Sequence, residues 1–168
     1  AALAAVEAGA GAETTLRRAA EAWGDRAGGT SGVIWARILR SMAEQLGDTA
    51  DVTRTEVAAA VSSARDAVVD FGKAKIGQKT MVDAMTPFAD ELQERIAAGD
   101  TLVDAWSHAA GVAEEAAQET AALTATLGRA KSHGDKSIGT PDPGAVSFAL
   151  ICTTISDVLA QDIEEDGK

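Results

Sequence analysis

The sequence predicts an all-α protein, an up-and-down antiparallel helical bundle. Three observations lead there. Alanine supplies 37 of the 168 residues, tyrosine is absent, and Phe and Trp occur three times each, so helix formers are plentiful and strand formers scarce. Apolar residues recur at i, i+3 and i+4 along most of the chain, the period of one buried helix face. The connections between these stripes are short, which makes consecutive helices neighbours. With 46% hydrophobic residues the chain has enough apolar side chain for one core. No linker divides it: residues 1–161 read as one helical domain and residues 162–168 as a frayed acidic tail.

The elements follow in order. Trp35, Ile38, Leu39, Met42 and Leu46 form one helical stripe, and Val57, Ala60, Val61, Ala64, Val68 and Phe71 form the next. Thr53 with Glu56 three residues on is a capping box for that second helix, and Gly72 follows its end. Val82, Met85, Ala89, Leu92 and Ile96 make a third stripe ended by Gly99. Pro87 inside it removes the bond to the carbonyl of Asp83, so a kink or loosening is expected there. Thr101 with Asp104 opens a fourth helix, whose seam runs through Trp106, Ala109, Ala113, Ala116, Thr120, Leu123 and Leu127. Its small residues allow close helix approach, while Glu114, Glu115, Gln118 and Glu119 form a solvated face. Asp142, Pro143 and Gly144 read as a cap, a first-turn proline and a permissive turn. They open a last helix buried through Phe148, Ile151, Cys152, Ile155 and Leu159.

Charge and cysteine usage narrow the function classes. Fifteen basic against 26 acidic residues give a net charge of −11, which argues against a nucleic-acid or basic membrane-surface protein. A lone Cys152 forms no internal disulfide, and with two histidines it makes a poor zinc set. Cys152 lies on a buried stripe and reads as core, without the exposure or activating neighbour a nucleophile needs. A reducing cytoplasm fits this usage. No apolar run approaches the roughly 18 to 20 residues that span a bilayer, and no signal peptide precedes the first residue, so no membrane partner is expected. The chain begins at Ala1 rather than Met, and a piece of something longer is the expectation.

Chemistry is expected where glycine breaks the helical pattern. Gly28-Gly29-Thr30-Ser31-Gly32 lies immediately before the Trp35 stripe, where free helix-start amides, two hydroxyls and unobstructed backbone would suit a phosphate. On these residues alone, a plain interhelical turn is the reading preferred. The stretch from Gly72 to Thr80 holds three Lys and no acid, and the stretch from Gly128 to Gly144 three basic and two acidic residues. Positive charge is thus concentrated in two glycine-rich loops, as a small anionic ligand requires, or as lysines solubilising exposed loops would. His108 has no partner at metal-ligand spacing and reads as structural or exposed; His133, in a loop, is a weaker anion candidate.

These motifs, in order, carry a resemblance. Gly28-Gly29-Thr30-Ser31-Gly32, then Gly72-Lys73-Ala74 with Gly77, Lys79-Thr80-Met81 and Asp83, then Gly128-Arg129-Ala130 with Lys136-Ser137-Ile138-Gly139 and Asp142-Pro143-Gly144-Ala145, are similar to the nucleotide-binding L subunit of dihydroxyacetone kinases over nearly the whole chain. The resemblance implies a helical barrel that holds ADP or ATP at one end. Carried over residue by residue, it puts Gly28, Gly29, Thr30 and Ser31 at the phosphates and Gly72 and Met81 near the adenosine. Arg129 and the turn Asp142, Pro143, Gly144 complete the pocket. The types are apt: hydroxyls and amides suit phosphate oxygens, Met81 offers an adaptable apolar wall for a base, and Arg129 a fixed fork of donors. Met81 reads also as core packing, and Asp142 also as a helix cap.

The same resemblance implies Mg2+ held by a Gly-Asp-x-Asp motif, which this sequence does not contain, so no metal ligand and no catalytic residue is assigned in this chain, which alone is expected to be inactive. Where relatives have Ser-Tyr-Leu after Gly-Arg-Ala, this chain has Lys131-Ser132-His133. The implied partners are a ketose-binding kinase subunit or fused domain, a phosphotransferase protein, and a second copy of the chain in a homodimer. The implied activity of the complete protein is phosphoryl transfer to a small ketose; a noncatalytic nucleotide-sensing or interaction module is the alternative.

Overall fold

In the computed structural model residues 1–48 and 51–166 are described, the side chains of 162–166 excepted. Among the described residues all regular secondary structure is helical, as the composition and the 3.6-residue period require. Contacts divide the chain into two compact units, Ala1–Lys73 and Ala74–Lys168.

The first unit holds α1 (Ala2–Glu7), α2 (Ala12–Arg26), α3 (Gly29–Leu46) and α4 (Arg54–Gly72), with α3 packed on both α2 and α4. Ala43, Ala60 and Ala64 are fully buried together with Ile38, Val61 and Val68, and the small side chains permit the close helix approach that the alanine content predicts. Ser41 Oγ lies 3.0 Å from Ser63 Oγ and hydrogen-bonds α3 to α4. Helix α2 has glycine at its N-cap and is capped instead from the far end of α3: Asp48 accepts from Thr14 N at 2.8 Å and from Thr14 Oγ1 at 2.6 Å. Those bonds favour the ionised carboxylate and hold Asp48 below its ordinary range.

The capping box of Thr53 and Glu56 forms as expected at the start of α4. The other end differs. Gly72 is the last helical residue, and Lys73 takes the left-handed cap position with φ 50°. Phe71, read from its spacing as core, is 45% exposed, and the Arg37 guanidinium covers its ring at 4.7 Å. Phe71 stands in the last turn of α4, where a cation from α3 takes the place of core packing.

The second unit holds α5 (Val82–Ala98), α6 (Leu102–Glu119) and α7 (Pro143–Asp166), each packed on the other two, and short 3₁₀ segments at Thr120–Ala122 and Arg129–Ser137. Its centre is aromatic. Phe88 is buried edge-on between Trp106, at 5.1 Å, and Phe148, at 5.4 Å. Trp106 Nε1 donates to the carbonyl of Cys152 at 2.9 Å, so the indole is satisfied inside the core. The α5 stripe is buried as predicted, and α5 is continuous past Pro87, which lies in its second turn and leaves the Asp83 carbonyl without its helical bond.

Further expectations are corrected here. The fourth stripe does not continue as helix to Leu127: α6 stops at Glu119, for reasons set out below. Residues Pro143–Gln161 are long and apolar enough to cross a bilayer, contrary to the reading that no such run exists. One face of that helix, through Ala145, Phe148, Ala149 and Cys152, is buried, and it packs on α5 and α6. Helix α7 also takes in residues 162–166, read from the sequence as a tail.

Candidate functional site

In the second unit, the segment before α5, the segment after α6 and the start of α7 are bonded into one loop cluster. Asp83, buried in the first turn of α5, accepts from the backbone N–H of Gly77 and of Thr80, the latter at 2.7 Å. That fixes the Lys75–Met81 loop on its own helix, where a carboxylate also complements the N-terminal dipole. Asp142 caps α7, its Oδ2 accepting from Ala145 N at 2.8 Å, with Pro143 in the first helical position. The cap is held in turn from α6: Asp142 N donates to Thr120 Oγ1 at 2.7 Å, and Thr120 Oγ1 donates to the carbonyl of Ala117. This is one reason α6 ends where it does, because Thr120 turns its hydroxyl back on its own helix and across to α7.

Lys79 supplies the other reason. Read from the sequence as part of a basic, anion-accessible loop, it is 3% exposed. Its Nζ donates to the carbonyls of Thr120 at 2.9 Å, Leu123 at 3.0 Å and Ser137 at 2.7 Å. The carbonyls that a longer α6 would use are thereby engaged by an ammonium. The loop charge open to a ligand is correspondingly smaller than the lysine count implies, with Lys75 and Arg129 exposed and Lys73 3.7 Å from Asp70 in an exposed ion pair.

Of the predicted site residues, Met81, Asp142 and Gly144 come together. A Cβ at Gly144 would stand 2.9 Å from Asp142 Oδ2 and 3.4 Å from Met81 Cβ, so a side chain there would press on the capping carboxylate. Met81 is buried, which satisfies its reading as core while leaving it beside the Asp142 turn. Burial pushes the Asp142 carboxyl above its ordinary value, and the nearby charge of Asp83 acts in the same sense; the Ala145 and Gly144 amides and Lys79 oppose it. Arg129 opens the 3₁₀ segment, exposed and without an ion pair among the described residues.

Gly28, Gly29, Thr30, Ser31 and Gly72 belong to the first unit. Gly28 is the N-cap of α3, and Gly29, Thr30 and Ser31 form its first turn rather than a loop before it. All four are exposed, and no side chain caps this helix start, so its amides are open to solvent or to an anion.

Sequence reasoning did not assign Lys79, Thr120 and Ser137 as organisers of the loops. Only Thr120 carried a signal, a polar residue on an otherwise apolar seam. His108 and His133 are exposed, Cys152 is buried with its thiol pushed up by burial, and no group of three His, Cys, Asp or Glu side chains among the described residues is arranged to hold a metal.

Comparison with known proteins bears on this arrangement. Residues 1–157 match the DAK2 domain family. An L-erythrulose kinase of Pectobacterium atrosepticum is 48% identical over 153 residues, 91% of this chain and 26% of the relative. A D-erythrulose kinase of Mycolicibacterium smegmatis is 45% identical over 95% of this chain and 27% of its own length. The ADP-binding subunit DhaL of a PTS-dependent dihydroxyacetone kinase from Lactococcus lactis is 32% identical over 80% of this chain and 62% of its own. The chain thus spans about a quarter of the erythrulose kinases it matches. With an all-helical fold and a family match that leaves out only its last residues, it belongs to the DAK2 domain family.

Proposed function

We propose that this chain is the nucleotide-binding domain of a kinase that phosphorylates a small ketose, and that it holds ADP or ATP. The observation that carries this reading is the alignment of 80% of the chain with a relative named as an ADP-binding subunit. In the first unit, the open amides of α3 and the hydroxyls of Thr30 and Ser31 suit phosphate oxygens, and Gly28 and Gly29 put no side chain in the way. Gly72 leaves backbone accessible to the adenosine. In the second unit, Met81 supplies apolar surface, Arg129 an unpaired guanidinium for phosphate or ribose oxygens, and Asp142, Pro143 and Gly144 a rigid turn. Bound as ATP, the nucleotide supplies the phosphoryl group, and the role of these residues is to bind and orient it.

The described residues offer no metal-binding set, so no metal is assigned to them; magnesium enters the proposal only for a longer polypeptide that carries the aspartate motif. The greater length of the erythrulose kinases supports a separate ketose-binding domain or subunit as partner, and their names favour erythrulose as the ketose, ahead of dihydroxyacetone.

Calorimetric titration of ADP into the full chain, with and without magnesium, tests the reading. Binding is expected with little magnesium dependence. Arg129→Ala should weaken it by about tenfold to a hundredfold, the usual worth of a charge-assisted hydrogen bond, with an unchanged helical circular dichroism spectrum. No binding of ADP to the unaltered chain overturns the proposal, and equal affinity in Arg129→Ala removes Arg129 from the site.

A further inference from the structure

We infer that Lys79 is a positioning residue for the Arg129 loop, a buried ammonium that clamps both ends of the segment from Leu123 to Ser137; as a statement about nucleotide binding this rests on the reading above. The placement is specific. An ammonium has three N–H donors, and all three find backbone carbonyls: Thr120 and Leu123 where the segment leaves α6, and Ser137 where it returns toward α7. Leu123 and Ser137 stand at the C-terminal ends of the two 3₁₀ segments, where carbonyls are left without helical partners and carry partial negative charge, while the Thr120 carbonyl takes Lys79 in addition to the Leu123 amide at 3.1 Å. One cation therefore closes the ends of both 3₁₀ segments. Ser137 adds a second clasp, its Oγ accepting from Ala125 N at 2.9 Å.

Nothing about the local backbone favours a lysine at this position. Lys79 adopts φ +61°, a conformation in which glycine is the unstrained choice. Burying an ammonium costs free energy unless its donors are satisfied. Both costs are met only by what the side chain reaches, and what it reaches is the base of the loop that presents Arg129. Through Thr120, whose carbonyl it holds and whose hydroxyl accepts from Asp142 N, the same ammonium also steadies the Asp142 turn.

The test separates the clamp from the ligand. Lys79→Met keeps the length and removes the donors; Lys79→Gly removes them while relieving the left-handed backbone. In the free protein, hydrogen exchange of the Ala125 amide and of the Gly139 amide, which donates to the Ala121 carbonyl at 2.8 Å, should accelerate by at least about tenfold in either variant, while amides in the middle of α5 and α6 keep their protection. ADP is then titrated into wild type, Lys79→Met, Arg129→Ala and the double variant. Lys79→Met should weaken ADP about tenfold, and Arg129→Ala should cost less than about twofold in that background, because an unclamped loop no longer presents the guanidinium.

Unchanged exchange at Ala125 and Gly139 overturns the clamp whether or not ADP binds. Additive losses overturn the link to Arg129. Failure of both Lys79 variants to fold makes Lys79 a core residue of the whole unit and overturns a role specific to the loop. A wild-type chain that ignores ADP while exchange responds as expected defeats the nucleotide reading and leaves the clamp standing.

Discussion

Asp142 shows how one carboxylate serves geometry at an electrostatic cost. It caps α7 and is held against α6 by Thr120, yet burial and the charge of Asp83 raise its affinity for a proton. The folded chain therefore binds that proton more tightly than the unfolded chain does. The stability this group contributes is fullest below the ordinary carboxylate value and declines as pH rises from about 4 through the raised folded value. Asp142→Asn keeps a capping oxygen and removes the charge, so the difference in urea midpoint between wild type and Asp142→Asn should shift against wild type as pH rises through that window. A flat difference would show that the carboxyl titrates as in solvent. Asp142→Ala should lose about 1 kcal/mol through the missing cap. Asp48 has the opposite sign: hydrogen bonds from Thr14 depress its value, and its contribution is lost as pH falls through that lowered value.

At the scale of an element, helix α3 turns on how closely the preceding chain approaches it. A Cβ at Gly32 would stand 1.7 Å from the carbonyl oxygen of Ala27, which is backbone and has no rotamer to yield. Gly24, in α2, has only the Ala36 Cβ at 3.7 Å, an ordinary contact. The two glycines should respond with opposite sign. Gly32→Ala should cost about 1 to 3 kcal/mol, as overpacking does, and should disturb the first turn that carries Thr30 and Ser31. Gly24→Ala should stabilise by up to about 1 kcal/mol through helix propensity. Urea unfolding of both variants decides this, and stabilisation by Gly32→Ala would contradict the close approach.

For the molecule as a whole, the second unit depends on a small aromatic centre in an otherwise alanine-rich interior. Phe88 is 1% exposed and meets both Trp106 and Phe148 edge-on. Phe88→Ala should cost about 3 to 5 kcal/mol, a large share of the roughly 5 to 15 kcal/mol that separates folded from unfolded domains. Amide exchange in α5, α6 and α7 should rise with the loss of thermal stability. A loss below about 1 kcal/mol would mean that neighbouring alanines collapse into the space, which their short side chains give little means to do.

The all-helical class, the capping box at Thr53, the N-cap at Thr101, the Asp142-Pro143 helix start and the buried α5 stripe were legible in the sequence, because each rests on neighbours within a few residues. Local spacing is enough to specify a cap or a face. Its reach ends where distant partners compete with that spacing. Phe71 keeps the period of a core residue but lies under Arg37, and the α6 seam continues in sequence to Leu127 although the helix stops at Glu119. Lys79 read as a loop cation, since nothing near it in sequence shows the three carbonyls it meets 41, 44 and 58 residues away. The sequence by itself determined that the chain is helical, where its main stripes lie and which loops carry hydroxyl, glycine and basic residues. Tertiary structure alone decided which charges are spent inside the fold and which remain for a ligand, because burial and long-range hydrogen bonding depend on what the rest of the chain brings to the same place.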